Sequence, residues 1–386
     1  MKLQKRLLWL GLLLSVVVLR AEPVRKGLPV FAGSNESLKN EVRNSITKAL
    51  DWLEMKQEKD GFWSTMDQPG LTALPIMAIQ GRPDKNGESA SVSKGYAWLK
   101  TCAKPDGGIY RKELPSYNTS LSLTAFTLGN VAQEKEVIAN ARKFLIGLQT
   151  DTGEPGKLNS PLDGGIGYGI KKDPDLSNMV LALEALYYSK KVLDEKDLST
   201  GPELNWQAAI RFIQNCQNLP STNNAKWISL DPKDKGGFVY APGRSMAGGE
   251  TNAAGRVALR SYGTMSYAGL LSYIYADMKP EDARVKSVTE WVTANYTLEE
   301  NPGMGKQGLY YYFHTLAKGL NLAGVDSLQT KDGKSVNWRE DLALRLIDLQ
   351  KADGSWENGA GRWFEKDPVL VTSYACIAME ILYRKL

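Results

Sequence analysis

A frame of apolar and small residues returns six times along this 386-residue chain, and such internal periodicity restricts the fold more than composition does. Ala49-x-x-Trp52-Leu53-x-x-x-Gln57 runs on to Asp60-Gly61-Phe62-Trp63. Near the other end, Leu342-x-x-Arg345-Leu346-x-x-x-Gln350 runs on to Asp353-Gly354-Ser355-Trp356, with the same Gln-x-x-Asp-Gly-x-Trp spacing. Between them the frame recurs at Gly95-x-x-Trp98, Ala141-x-x-Phe144, Ala209-x-x-Phe212 and Val288-x-x-Trp291. Glycine turns and aromatics follow at Gly107 to Tyr110, Gly164 to Tyr168, Gly236 to Tyr240 and Gly308 to Tyr310.

Each unit continues into a second apolar segment with helical spacing, starting near Leu71, Asn118, Asn178, Thr264, Tyr311 and Ser373. The segments from Asn118 and Asn178 superpose without a gap. Strand signals are weak throughout. One helical hairpin cannot bury both of its apolar faces, so neighbours must stack. The second helices, with Ala73, Ala125, Ala182, Ala268 and Ala378, suit an inner ring flanked on both sides. The first helices carry Lys48, Glu54, Arg142, Arg211 and Arg345 and suit an outer ring. A glutamine ending an outer helix can bond exposed backbone groups of a neighbouring helix end, and an aromatic beyond the turn can cover it. Trp63 and Trp356 are therefore expected to be buried structural residues.

The Gln…Gly-x-Trp pattern resembles the repeat of the squalene–hopene cyclase and protein prenyltransferase β-subunit superfamily, over residues from about 45 to the end of the chain. The resemblance implies an all-α fold, an α6-α6 toroid with a central cavity that opens where the inner helices begin. Fold does not fix reaction. The prenyltransferase branch holds zinc with an Asp-x-Cys pair and a later His. The matching region Arg260 to Gly269 contains neither Asp nor Cys, and the lone histidine, His314, leaves too few ligands, so no metal or cofactor is expected. The cyclase branch protonates an alkene with Asp-x-Asp-Asp at the mouth of an inner helix. Here Asp173-Pro174-Asp175-Leu176 places Asp175 where the proton donor would sit, with Leu176 replacing the third carboxylate. Read from the residues alone, Asp175 or Ser177 caps the helix. A cap would accept backbone N–H bonds and have its pKa lowered; an acid would be raised by burial. The cap is the expectation.

The candidate site is therefore the N-terminal mouth of the inner helices. It would collect Asp175 and His314 as catalytic candidates, and Asn178, Arg260, Tyr262, Tyr267, Tyr311 and Tyr312 as ligand-binding residues. The insertion from about Leu219 to Ala258 would lie close enough to cover them. The same tyrosines could equally be core residues with satisfied hydroxyls.

Residues 1–21 read as a secretory signal: Lys2, Lys5 and Arg6, then an apolar run from Leu7 to Leu19, with Ala21 before the cleavage point. An N-terminal extension, 22–44, would then lead into the toroid, 45–386, in an extracytoplasmic setting and with no transmembrane segment left after cleavage. The full chain carries 48 basic and 43 acidic residues, a net charge of +5; losing the four basic residues of the signal leaves +1. A nearly neutral protein offers no electrostatic reason to bind nucleic acid. Cys102, Cys216 and Cys376 form no ligand cluster and are expected as buried thiols. The leading functional reading is a toroid that takes an apolar small molecule or lipid, isoprenoid-like, in its cavity. A polysaccharide lyase or hydrolase on an α/α barrel and a protein-interaction scaffold are the alternatives.

Overall fold

In a computed structural model, residues 34–84, 89–129, 131–198, 201–251, 255–330 and 333–386 are described. The signal segment lies outside them. Among the described residues there are thirteen α-helices and two minimal antiparallel hairpins. Six helices form the inner layer: α2 (Gly70–Gly81), α4 (Pro115–Leu128), α6 (Leu176–Val192), α9 (Gly263–Tyr275), α11 (Leu309–Leu322) and α13 (Pro368–Tyr383). Their observed starts fall within a turn or so of the positions the repeats indicate. Each packs on the next, α2 on α4, α4 on α6, α6 on α9, α9 on α11, α11 on α13, and α13 packs back on α2. That last contact closes the ring.

The outer layer comprises α1 (Ser34–Met55), α3 (Ala90–Lys100), α5 (Val131–Gly147), α8 (Trp206–Asn215), α10 (Ala283–Ala294) and α12 (Trp338–Leu349); α7 (Glu195–Leu198) is a single turn in a connection. The layers differ as their sequences require. In α8, Ala209, Phe212 and Ile213 are buried while Arg211 faces solvent. In α9 almost every residue is buried, because the helix has ring neighbours on two sides and the outer layer behind it. The three cysteines are free and buried.

One local device welds hairpin to hairpin. The Gln350 amide donates to Gly354 in its own turn and to Ser45 of α1, both at 2.9 Å, and its oxygen accepts from the Ser45 hydroxyl at 2.7 Å. Gln57 reaches Gly61 and Ser91 in the same way, Gln149 reaches Gly164 and Asn205, and Gln217 reaches Gly236 and Arg284. The turn glycine must be glycine. Gly354 has φ +92°, and a Cβ there would lie 2.5 Å from the Lys48 carbonyl oxygen of α1. Trp63 and Trp356 are fully buried, but the Gln amides are not their partners. Their indole N–H groups donate to the carbonyls of Leu53 and Leu346, near the C-terminal ends of their own outer helices, at 2.7 and 2.8 Å.

The insertion departs from the all-helical reading. It holds the hairpin β1 (Gly249–Thr251) and β2 (Val257–Leu259), too short to have shown an alternating pattern. The buried Asn218 pins its base, donating to the Leu259 carbonyl and accepting from the Ser229 N–H. A second hairpin, β3 (Leu328–Gln329) with β4 (Ser335–Val336), precedes α12.

Candidate functional site

The N-terminal ends of the inner helices surround a cavity of about 120 Å³. Its wall includes the rings of Tyr117 on α4, Tyr262 before α9, Tyr311 on α11 and Tyr374 on α13, with Leu181, Thr264 and Met265. Tyr168 comes from the turn before α6 and Tyr240 from the insertion. Leu114, Trp363 and Phe364 also line it, the last two being 38 and 51% exposed, and all three have left-handed backbones, with φ of 51, 54 and 64°. Such conformations cost about 1–3 kcal/mol each in non-glycine residues and persist where surrounding structure imposes them, which makes their convergence on one cavity a functional signal.

Burial controls the electrostatics. It pushes the Tyr117 phenol up to about 12 and Tyr240, Tyr262, Tyr311 and Tyr374 further, so these rings are neutral hydroxyl groups at any ordinary pH. Among the described residues the Tyr311 hydroxyl and the Thr264 Oγ1 find no hydrogen-bond partner. One carboxyl lines the cavity. Glu365 is 1% exposed and accepts the Tyr311 N–H at 2.8 Å, capping α11 from the neighbouring repeat. Burial raises it, against the Tyr311 N–H bond and an Asn358 amide bond.

Asp175 is the N-cap of α6. Its carboxylate accepts the Asn178 backbone N–H at 3.0 Å, the Asn178 side-chain amide at 2.8 Å and the Ser177 hydroxyl at 2.5 Å. The geometry is the expected cap, but the expected fall in pKa does not follow. The residue is fully buried, and desolvation raises it against the Ser177, Asn178 and Tyr240 bonds. Asp175 lies behind the wall rather than on it; Ser177 and Tyr240, both lining residues, separate it from the space. Those two hydroxyls link its carboxyl to the wall.

The remaining candidates separate. Tyr262 and Tyr311 line the cavity, and Asn178 supports Asp175 from behind. Tyr267 and Tyr312 do not line it. They pack edge to face on each other between α9 and α11, Tyr267 against Gly319, while the Tyr312 hydroxyl donates to Thr297. Helical spacing turns them away from the axis that Tyr311 faces. Arg260 is half exposed and paired with Glu250 across the β1–β2 hairpin. His314 sits a turn deeper than Tyr311 and lines a different cavity. Of the lining residues, the single-sequence reading passed over Tyr117, although the superposed frame sets it level with Ser177, and it passed over the Trp363–Phe364–Glu365 cluster in the loop before α13.

No family model matches the sequence, and no curated protein matches it. Solved structures do match. Type II terpene cyclase MstE from Scytonema is 12% identical, with 90% of this chain and 99% of that one covered and a TM-score of 0.52. A variant of α-1,6-mannanase GH76A of Salegentibacter sp. HEL1_6, in complex with α-1,6-mannotriose, is 14% identical over 89 and 99% of the two chains, with a TM-score of 0.53. The fold is the α/α toroid. At this identity the likeness is one of fold alone, and at that level it bears out the expected α/α toroid. The toroid is equally that of a mannanase, so the reaction has to be argued from the cavity.

Proposed function

We propose that this toroid is an exported protein that receives an apolar, isoprenoid-like chain in its N-terminal cavity. One observation carries the reading: among the described residues the wall is almost wholly aromatic and aliphatic, and its one carboxyl is pushed toward the neutral form. The apolar faces of these rings, with a single carboxyl held toward its neutral form, favour a hydrocarbon chain over a charged ligand. A fold relative supports the choice: a variant of the Scytonema cyclase is described in complex with geranylgeranyl dihydroxybenzoate as substrate, at a TM-score of 0.50. The unpartnered Tyr311 and Thr264 hydroxyls would receive a single polar group on that chain. Extracytoplasmic placement rests on the charged start and apolar run of residues 1–21.

Native mass spectrometry of the purified protein, followed by lipid extraction, tests both parts. Retention of an isoprenoid-class adduct, and an intact mass starting after Ala21, are expected. Titration with geranylgeraniol should change Trp363 fluorescence. Binding of α-1,6-mannotriose at the same mouth, with no response to geranylgeraniol, would turn the reading toward the glycan alternative.

A further inference from the structure

Leu181 and Tyr374 line the N-terminal cavity from one side and a second, larger chamber from the other. This chamber, about 520 Å³, lies among the C-terminal halves of the inner helices. Leu74, Met77, Leu121, Leu128 and Ile377 give it one aliphatic wall. Polar residues complete the lining, and packing does not account for two of them.

The first is His314, which is 5% exposed. Its ring hydrogen-bonds the backbone of Tyr374, while Nδ1 has no partner among the described residues. Burial and the nearby Lys318 hold the imidazole well below its ordinary pKa, so it is neutral and keeps an open acceptor. The second is Glu380, 3% exposed, whose carboxyl receives a weak thiol contact from Cys376 at 3.7 Å and feels the nearby Arg384 and Arg82. A Cβ on Gly81 would fall 1.8 Å from its Oε2, so the backbone of α2 leaves room for this group. Burial pushes Glu380 well up, away from the charged form.

Lys318 is matched by Glu184 in a buried ion pair. Arg82 stands 4.0 Å from Glu54, and Arg384 at the rim spends one N–H on the Gly81 carbonyl. The same lining thus carries two guanidinium groups, both close enough to Glu380 to act on its carboxyl, and an unmet acceptor on the deep His314. The aliphatic lining belongs to the same cavity, and its α2 part spans roughly 10 Å from Leu74 to Gly81 at 1.5 Å per residue.

We propose that this C-terminal cavity is a second ligand site, which takes an amphipathic organic acid with its carboxylate at Arg82 and Arg384 and a terminal hydroxyl donating to His314 Nδ1. The proposal does not depend on what the N-terminal cavity holds. Arginine suits a carboxylate because its planar fork binds two oxygens at once. The hydroxyl supplies the donor that His314 lacks, and the alkyl segment covers the aliphatic wall.

Calorimetric titration of the full mature chain with ω-hydroxydecanoate, decanoate and decanediol tests each element separately. ω-Hydroxydecanoate should bind about tenfold or more tightly than either of the others, the scale of one charge-assisted or otherwise unmet hydrogen bond. Arg384→Gln should erase its advantage over decanediol without weakening decanediol, and His314→Phe should erase its advantage over decanoate. Arg384 is exposed, so its variant folds even if the buried His314→Phe does not, and Arg82→Gln repeats the rim test. Equal binding of the three probes, no binding of any, or an advantage that survives the arginine substitutions would overturn the proposal.

Discussion

At Asp175 two effects oppose each other, and burial prevails. Its oxygens receive bonds from Ser177, Asn178 and Tyr240, which favour the charged carboxylate, while full burial disfavours it more. The folded protein therefore binds this proton more tightly than the unfolded chain. Stability attached to the residue is present below its ordinary value of 3.8 and falls as pH rises through the window above it. Asp175→Asn removes that dependence and keeps an oxygen for the Asn178 N–H; the partnerless Asn178 oxygen can rotate to meet the new amide. The stability of Asp175→Asn relative to the parent should thus rise with pH in urea titrations, and a gap that narrows with rising pH would contradict the burial argument. Loss of an isoprenoid-cyclising activity in this variant, with its melting temperature unchanged, would instead make Asp175 the proton donor. The sequence reading found the cap because capping is local: an Asp two residues before a Ser–Asn pair at a helix start. It missed the pKa direction because full burial of Asp175 is a property of the assembled ring that no local spacing reports.

The hairpin is the element that sequence made most legible, since its Gln, Gly and Trp act within one turn and against the next outer helix. Trp356→Ala should cost about 3–5 kcal/mol, as large aromatic truncations in cores do, and would also strand the Leu346 carbonyl. Gly354→Ala should cost on the order of 2 kcal/mol, because it combines a left-handed backbone with a collision against Lys48. Chemical denaturation reads both; midpoints equal to the parent's would show that the device does not join the repeats. The fifth hairpin was the least legible. Its Gly308 has the expected turn position, but it borders Trp363 at the cavity mouth instead of a neighbouring outer helix. Periodicity marked it as one more turn, whereas its contacts come from a loop some fifty residues away. Trp363 and Phe364 escaped notice for the same reason. Strain in a non-repeating loop leaves no periodic trace.

For the molecule as a whole, closure changes how stability is shared. In an open array each repeat leans on its two neighbours and the ends can fray independently. Here α13 packs on α2, and Gln350 clasps Ser45 of α1, so no described hairpin is terminal. Unfolding should therefore be a single transition in which ellipticity and tryptophan fluorescence coincide, and Gly354→Ala should lower its midpoint without splitting it. Separate transitions for the two probes would mean that the ring opens before it unfolds. The repeats predict a ring but not its two chambers, since Leu181 and Tyr374 divide the axis through side-chain size and not through any pattern. A ring whose last hairpin grips its first also has no seam. The order in which translation visits the hairpins is then a matter of history more than of architecture. Joining α13 to α1 through a short linker, and cutting the chain in the exposed turn around Glu154 and Lys157, would yield a circular permutant with the same set of helix contacts and the same two chambers.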